Sequence, residues 1–466
     1  MRNKSFVGKH GSLGEFLIKG ESVTRMWDLV GSAFSLINSF FIIQALSLYQ
    51  FGLYQLVLAF IGLVNSFNLD LFDTVVNVEI RRYFNSGKIA VAKRILKEYA
   101  VVKIVVAILM TIGVFLGANL VAHYYGSDVA QFIRIASFIF LITTFQNIEM
   151  IVLKNSFSMI YYSAGGIREV FKFFLLFGVV FYSYLDISKI LVIHILGLLG
   201  SLVFTSFFFW RIYSNLWLKV ISAKGFFLNG LAKAHGKWVS LRFLLAKFSS
   251  GNINPWLIKF FINTEAVAIY FLAYNLVAFI QEFFPVNALS WIFLMKIDDK
   301  NEMGYIFKRS AKYLFWFGVL AGLFSLAAVP WIVNIIFPKF HDAWPIFKVM
   351  LVVFPIFGVY KIIKEVLSTL REYKTLTLRM PIESLVNLIF LAVLLPLFGL
   401  MGAAIAYVAV YVARILFFYP ALIRLHPNFK IKTKDIFSFN DDDIIFIKKI
   451  YQKFLSTFRS FFLRYR

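Results

Sequence analysis

Residues 238–262 read WVSLRFLLAKFSSGNINPWLIKFFI. The stretch is long enough to cross a bilayer, for which about 20 mostly apolar residues suffice. It nevertheless carries Arg242, Lys247, Asn252, Asn254 and Lys259, and Gly251 and Pro255 interrupt its middle. A cation near the bilayer centre costs at least about 2.5–3.5 kcal/mol. A helix that meets this cost repeatedly faces protein or water rather than lipid. The stretch therefore reads as a span that lines a polar pathway.

Working outward, apolar runs of similar length recur along the whole chain. Its 466 residues are 60% hydrophobic and only 15% charged, with mean hydropathy +0.78. Soluble domains average about 25% charged residues, so a polytopic membrane protein is expected. The runs are continuous and not alternating, which argues against a β-barrel. The start, MRNKSFVGKH, is polar and the first apolar run is too long for an h-region, so no removable signal peptide is expected. Cysteine is absent, which excludes disulfides, thiolate metal sites and cysteine nucleophiles. The six histidines are scattered, and no metal site is expected. The formal charge of +24 reads as cytoplasmic loops facing anionic membrane lipids, not as a nucleic-acid surface.

Basic and Lys/Arg-poor connectors alternate, which predicts twelve spans with both termini cytoplasmic. In the first half they are Met26–Leu46, Gly52–Ile80, Tyr99–Val121, Val129–Leu153, a fifth ending at Tyr184, and Ile187–Trp210. A short interfacial helix over Gly14–Trp27 precedes them. The opening stretch is span 7, followed by Glu265–Met295, Tyr313–Ile336, Trp344–Leu370, Leu376–Phe398 and Gly399–Ile423. The expected organisation is all-α: a six-helix bundle over residues 1–212, a basic cytoplasmic linker over 213–237, and a second six-helix bundle over 238–425. The two bundles would enclose a central cavity. Residues 426–466 form a cytoplasmic tail in which apolar and basic residues from Ile447 to Tyr465 alternate at helical spacing. Asp441, Asp442 and Asp443 suit the N-terminus of such an amphipathic helix on the inner leaflet.

The halves echo each other. FGLYQLVLAFIGLV from Phe51 aligns with VAIYFLAYNLVAFI from Val267, pairing Tyr54 with Tyr270 at an offset of about 216 residues. A second echo joins GLLGSLVF from Gly197 to GLMGAAIA from Gly399. Parallel repeats with a midplane site between them are a transporter design.

The short connector followed by Gly52–Leu53–Tyr54 and a long apolar helix resembles the polysaccharide repeat-unit and O-antigen flippases of the multidrug/oligosaccharidyl-lipid/polysaccharide exporter superfamily. So do NTEAVAIYFLAYNLV from Asn263 and GLMGAAIAYVAVYVARILF from Gly399. The likeness spans all twelve expected helices, although Ala268 replaces the glycine common in the second Gly-x-Tyr. It implies an inner-membrane transporter, not an enzyme, that moves undecaprenyl-pyrophosphate-linked oligosaccharides from the inner to the outer leaflet by alternating access. Its product would supply O-antigen, capsule or exopolysaccharide biosynthesis, with a polymerase and chain-length machinery as partners.

Intramembrane charge nominates the site. Lys247 lies about 13 Å past Trp238 along a helix, near mid-membrane. Arg242, Lys259, Arg168, Lys172, Lys361 and Lys364 are further cavity cations able to meet a pyrophosphate. Snorkelling is the alternative for Arg242 and Lys259, and a helix pair with Glu365 for Lys361. Asn38, Asn252, Asn254, Asn275, Tyr270 and Tyr274 are candidates to contact the glycan. Glu282, Asp70 and Asp73 could couple transport to a proton or sodium gradient, or pair with nearby cations; no other cofactor is expected. An ion-coupled multidrug antiporter shares the twelve-span plan but would want an acidic cavity. A glycosyltransferase or polymerase would need an acidic metal motif or a sizeable outer loop, and the sequence offers neither.

Overall fold

The computed structural model of the chain describes residues 13–68, 70–156, 160, 163–231, 233, 253–286, 300–370, 372–439 and 443. Helix is the only regular structure among them, as expected where hydrocarbon leaves backbone groups no partner but the chain itself. The first half contains α1 (Leu13–Ala45), α2 (Leu48–Val64), α3 (Asp70–Asn85) and α4 (Ile89–Tyr125), then α5 (Ser127–Ser137), α6 (Ile139–Asn155), α7 (Ser163–Tyr182) and α8 (Ile187–Ile212). The second contains α9 (Asn254–Phe261), α10 (Thr264–Glu282), α11 (Lys300–Ile336), α12 (Ala343–Met350), α13 (Val353–Thr369) and α14 (Tyr373–Leu425).

Among the described residues, seven segments are long and apolar enough to cross a membrane, or eight if the bent pair α12 and α13 is one span. Large apolar side chains point outward along them, with Leu116 and Leu120 of α4 and Phe324 of α11 each more than 70% exposed. Lipid, not water, is the natural covering for such faces. The chain is a multi-pass membrane protein.

Several boundaries differ from the sequence expectation. The interfacial helix and span 1 form one helix, α1. The expected span 2 breaks at Asn65–Phe67, a 3-10 turn, where the sequence turns polar; Asn68 there exchanges hydrogen bonds with Thr144 on α6. Phe138 separates α5 from α6, and α12 meets α13 at 47°. The helix α14 is a hairpin, because Gly399 adopts φ 58°, ψ −139°, a conformation reserved for glycine. A Cβ at Gly402 would overlap the carbonyl of Leu394, so the two legs lie in backbone contact. Gly197, by contrast, sits inside α8, so the second sequence echo joins places that are not equivalent.

The first echo coincides with structure. The helices α2 and α10 begin at Leu48 and Thr264, the same offset of about 216 residues. Each is capped by the side chain before it: Ser47 Oγ accepts from the Gln50 amide at 3.2 Å, and Asn263 Oδ1 from the Ala266 amide at 2.7 Å.

The chain forms two compact units. One comprises Met1–Leu276, Ala328–Met350 and Met380–Ala409; the other comprises Val277–Ala327, Leu351–Arg379 and Val410–Arg466. In the first, α1 packs on α7, α7 on α8, and α6 on α8, α4 and α3. At its basic end, Val76, Ile80, Ile95, Tyr99, Ile151 and Val152 close around Trp217, whose indole donates to Ser156. The expected linker is fastened here. Lys93 donates to the carbonyls of Leu218 and Val220, Arg94 to that of Gly225, and Glu98 accepts from the Phe227 and Leu228 amides.

In the second unit, residues 426–439 run back along α11. Trp316 donates to the Ile436 carbonyl, and Lys312 to that of Ser438. Asp443 is buried and accepts from Arg309, Lys312 and Tyr313. It is thus an anchor of this strap, and it is itself helical. The rest of the expected tail helix lies outside the described residues.

Candidate substrate pathway

Three polar groupings in the first unit interrupt the apolar packing. One is centred on α7. A Cβ at Gly31 would lie 3.3 Å from Gly166, and one at Gly166 would lie 2.8 Å from the Trp27 ring, so small residues bring α1 close to α7. Asn38, two turns beyond Gly31, then reaches Glu169. Its Nδ2 donates to the Glu169 carbonyl at 2.9 Å and to Oε2 at 3.1 Å. Glu169 also pairs at 3.2 Å with Lys172, one turn away, and with Arg168. Two cations share one carboxylate, so the cluster keeps a net positive charge. Glu169 and Lys172 are buried, but the Arg168 side chain is 38% exposed and can still reach a ligand. Among the described residues, Asn38 Oδ1 has no donor.

A second grouping joins α9, α10 and α14. Asn387 Nδ2 donates to Asn254 Oδ1 at 3.0 Å, and Asn254 Nδ2 to the Tyr270 hydroxyl at 3.2 Å. All three residues are buried. Pro255 follows Asn254 and fixes the first turn of α9 without needing a donor. The Tyr270 ring stacks on Tyr274, which meets Tyr407 edge-on.

The third lies at the end opposite the basic loops, here called the distal end. Lys259 Nζ donates to the Tyr125 carbonyl at 2.9 Å and to Thr264 Oγ1 at 2.8 Å. Trp256 packs edge-on against Tyr125 and Phe60. Gln44 donates to the Ile336 carbonyl, and Lys339 to that of Gln44. These contacts tie the first six helices to elements of the second half.

The remaining candidates scatter. Lys361 on α13 sits over the Phe357 ring, and Lys364 is half-buried on the same helix. Asn275 and Glu282 are exposed on α10. Asp73 is held by Lys103 at 2.5 Å and by the Tyr99 hydroxyl, the ion-pair alternative to an ion-coupling role, while Asp70 opens α3. Arg242, Lys247 and Asn252 lie outside the described residues.

Asn38, a glycan-contact candidate by sequence, holds the Glu169 cluster through its Nδ2. Sequence reasoning missed Asn387 altogether. The available signal was the polar spacing of Glu383, Ser384 and Asn387 within an otherwise apolar span, all three of them buried.

No family model and no curated protein matches the sequence. Solved structures do match its fold. The lipid II flippase MurJ in an inward closed conformation aligns over 94% of this chain and 93% of its own, with TM-score 0.69 and 13% identity. An inward-facing MATE-family multidrug resistance transporter aligns over 85% and 95%, with TM-score 0.71 and 12% identity. A transporter from Pyrococcus furiosus, described as having a binding pocket of reverse polarity, aligns over 92% and 100%, with TM-score 0.59 and 12% identity. The chain shares the fold of flippases and transporters of the MOP superfamily.

Proposed function

We propose that the protein is a flippase carrying undecaprenyl-pyrophosphate-linked oligosaccharide repeat units from the inner to the outer leaflet of the cytoplasmic membrane. The glycans would feed assembly of a surface polysaccharide, delivered to its polymerase and chain-length machinery. The observation that carries the reading is the local charge balance on α7: Arg168, partly exposed, and the buried Lys172 together outnumber the buried Glu169. A diphosphate in hydrocarbon needs cationic donors, and the planar fork of Arg168 suits a phosphate well. An exporter of cationic drugs would want the opposite sign, and pocket polarity is the feature singled out in the Pyrococcus furiosus transporter of this fold.

In this mechanism, intramembrane cations take the pyrophosphate, and Lys247 is proposed as the foremost of them. The polyprenyl tail stays in lipid. The two halves alternate access around the head group, and no covalent step occurs. The distal contacts of Lys259, Lys339 and Trp256 form the outer closure of an inward-accessible state, with both chain termini cytoplasmic.

The test is reconstitution into liposomes with an undecaprenyl-pyrophosphate-linked glycan. Translocation is expected, and Lys247→Ala should abolish it while leaving membrane insertion intact. Uptake of organic cations without glycan translocation would overturn the reading.

A further inference from the structure

Glu149 differs from three other carboxylates in the helix packing: the half-buried Asp73 and the buried Glu169 and Asp443 each hold a lysine. Glu149, on α6, is only 8% exposed, yet its partners among the described residues are two hydroxyls of α8. Thr205 Oγ1 donates to Oε2 at 2.7 Å, and Ser206 Oγ donates to Oε1. Consecutive residues of one helix thus serve one carboxylate oxygen each.

Charged side chains elsewhere on the packed elements do not compensate it. On α3, Asp73 is taken by Lys103 of α4, Glu79 by Arg82, and the exposed Arg81 is directed to the Lys154 carbonyl at the end of α6. On α4, Arg94 and Glu98 pair together and Lys97 is exposed. Lys154 of α6 and Arg211 of α8 are also exposed, and His194 lies three turns from Thr205 along α8. An anion held by neutral donors alone inside helix packing is costly.

The hydroxyl at Thr205 has a second choice. Its oxygen also lies 3.1 Å from the Ser201 carbonyl and 3.0 Å from that of Leu202. A hydroxyl carries one proton and can accept as well as donate. When Glu149 is ionised, Thr205 donates to it. When Glu149 is protonated, the carboxyl donates to Thr205, which turns its own proton to the backbone. Every hydrogen-bonding group has a partner in both states, but the ionised state leaves a buried charge with no cation beside it among the described residues. The arrangement continues along α8: Ser201, one turn earlier, accepts from Gln146 at 2.9 Å and donates to the Ala164 carbonyl of α7 at 2.8 Å. A second polar contact thus joins α6, α7 and α8 one turn from Thr205.

We propose that Glu149 is a reversible proton-binding site whose protonation favours the α6–α8 packing seen here, and whose discharge loosens it. Its use as the site that couples transport to a proton gradient rests on the transport reading above; the titration itself does not.

The test uses the purified full-length protein, without substrate. Infrared difference spectroscopy between mildly acidic and mildly alkaline pH reads the protonated-carboxyl stretching band. Hydrogen exchange over 139–155 and 187–212 reads the helix packing. The wild type should lose the band and gain exchange as pH rises. Glu149→Gln should lack that band and keep slow exchange at both pH values. Thr205→Val, which preserves volume, should displace the midpoint without abolishing the transition, and so covers the case that Glu149→Gln fails to fold. A band that never titrates, one unaffected by either variant, or one that answers to sodium instead of protons would overturn the proposal. Loss of glycan translocation in liposomes with the titration intact would count against the flippase reading alone.

Discussion

Gly52 of α2 packs so closely on the first turn of α10 that a methyl group at Gly52 would overlap the carbonyl oxygen of Thr264. Only glycine fits, because the obstacle is backbone and cannot rotate away. Gly52→Ala should weaken the distal closure by about 1–3 kcal/mol, the usual cost of overpacking. Leu46, six residues before Gly52 in the connector to α2, is fully buried, and the native chain has no cysteine. A Leu46→Cys reporter should therefore label slowly with a membrane-impermeant maleimide, and much faster when Gly52→Ala is added. Equal labelling rates would show that the contact does not hold the end shut.

The Glu169 cluster makes a prediction about order of loss. Removing the carboxylate strands the buried ammonium of Lys172, and breaking such a pair costs about 3–5 kcal/mol. Glu169→Gln should lower the thermal midpoint in detergent strongly. Glu169→Gln combined with Lys172→Met should recover much of the loss, since both charges are then gone. Arg168→Gln, at a more exposed side chain, should change stability little and act on glycan affinity instead.

Lys259 serves two acceptors near the end of α9, the Tyr125 carbonyl and the Thr264 hydroxyl. Lys259→Met keeps the stem and removes three donors at once. A fall in stability of about 1–3 kcal/mol is expected from the orphaned acceptors. Because the ammonium is committed to the connectors, binding of the lipid-linked glycan at equilibrium should be unchanged. Weakened binding with unchanged stability would return Lys259 to the substrate.

Asp443 gathers Arg309, Lys312 and Tyr313, and its side chain is nearly sealed from solvent. Asp443→Asn leaves two cations facing a neutral amide. Hydrogen exchange over residues 430–439 should accelerate, while exchange in α13 stays as it was. Unaltered exchange over 430–439 would mean that the Trp316 and Lys312 bonds to the backbone suffice to hold the strap.

Much of this architecture was legible in the sequence, because hydrocarbon permits few answers to a long apolar run. The repeat at Tyr54 and Tyr270 was also legible, since caps and register repeat with it. Less was legible where tertiary packing decides. Asn65 and Asn68 broke span 2 because Asn68 found Thr144 far along the chain. Asn38 pointed to Glu169 because of glycines a helical wheel does not single out. Glu149 was visible only as one acid among several, since its hydroxyl partners lie more than fifty residues away. Lys247, the foremost cation by sequence, and Arg242 lie outside the described residues.

The reversal at Gly399 bears on how the chain enters the membrane. Its legs meet in backbone contact on either side of a single residue, with no polar loop between them. Nothing hydrophilic has to be dragged across the bilayer to complete the turn. The pair can leave the translocation machinery already folded against itself, as one wedge rather than two successive threads. A residue there that resists the left-handed backbone would then be felt first in biogenesis, as failed insertion, before transport could be measured at all.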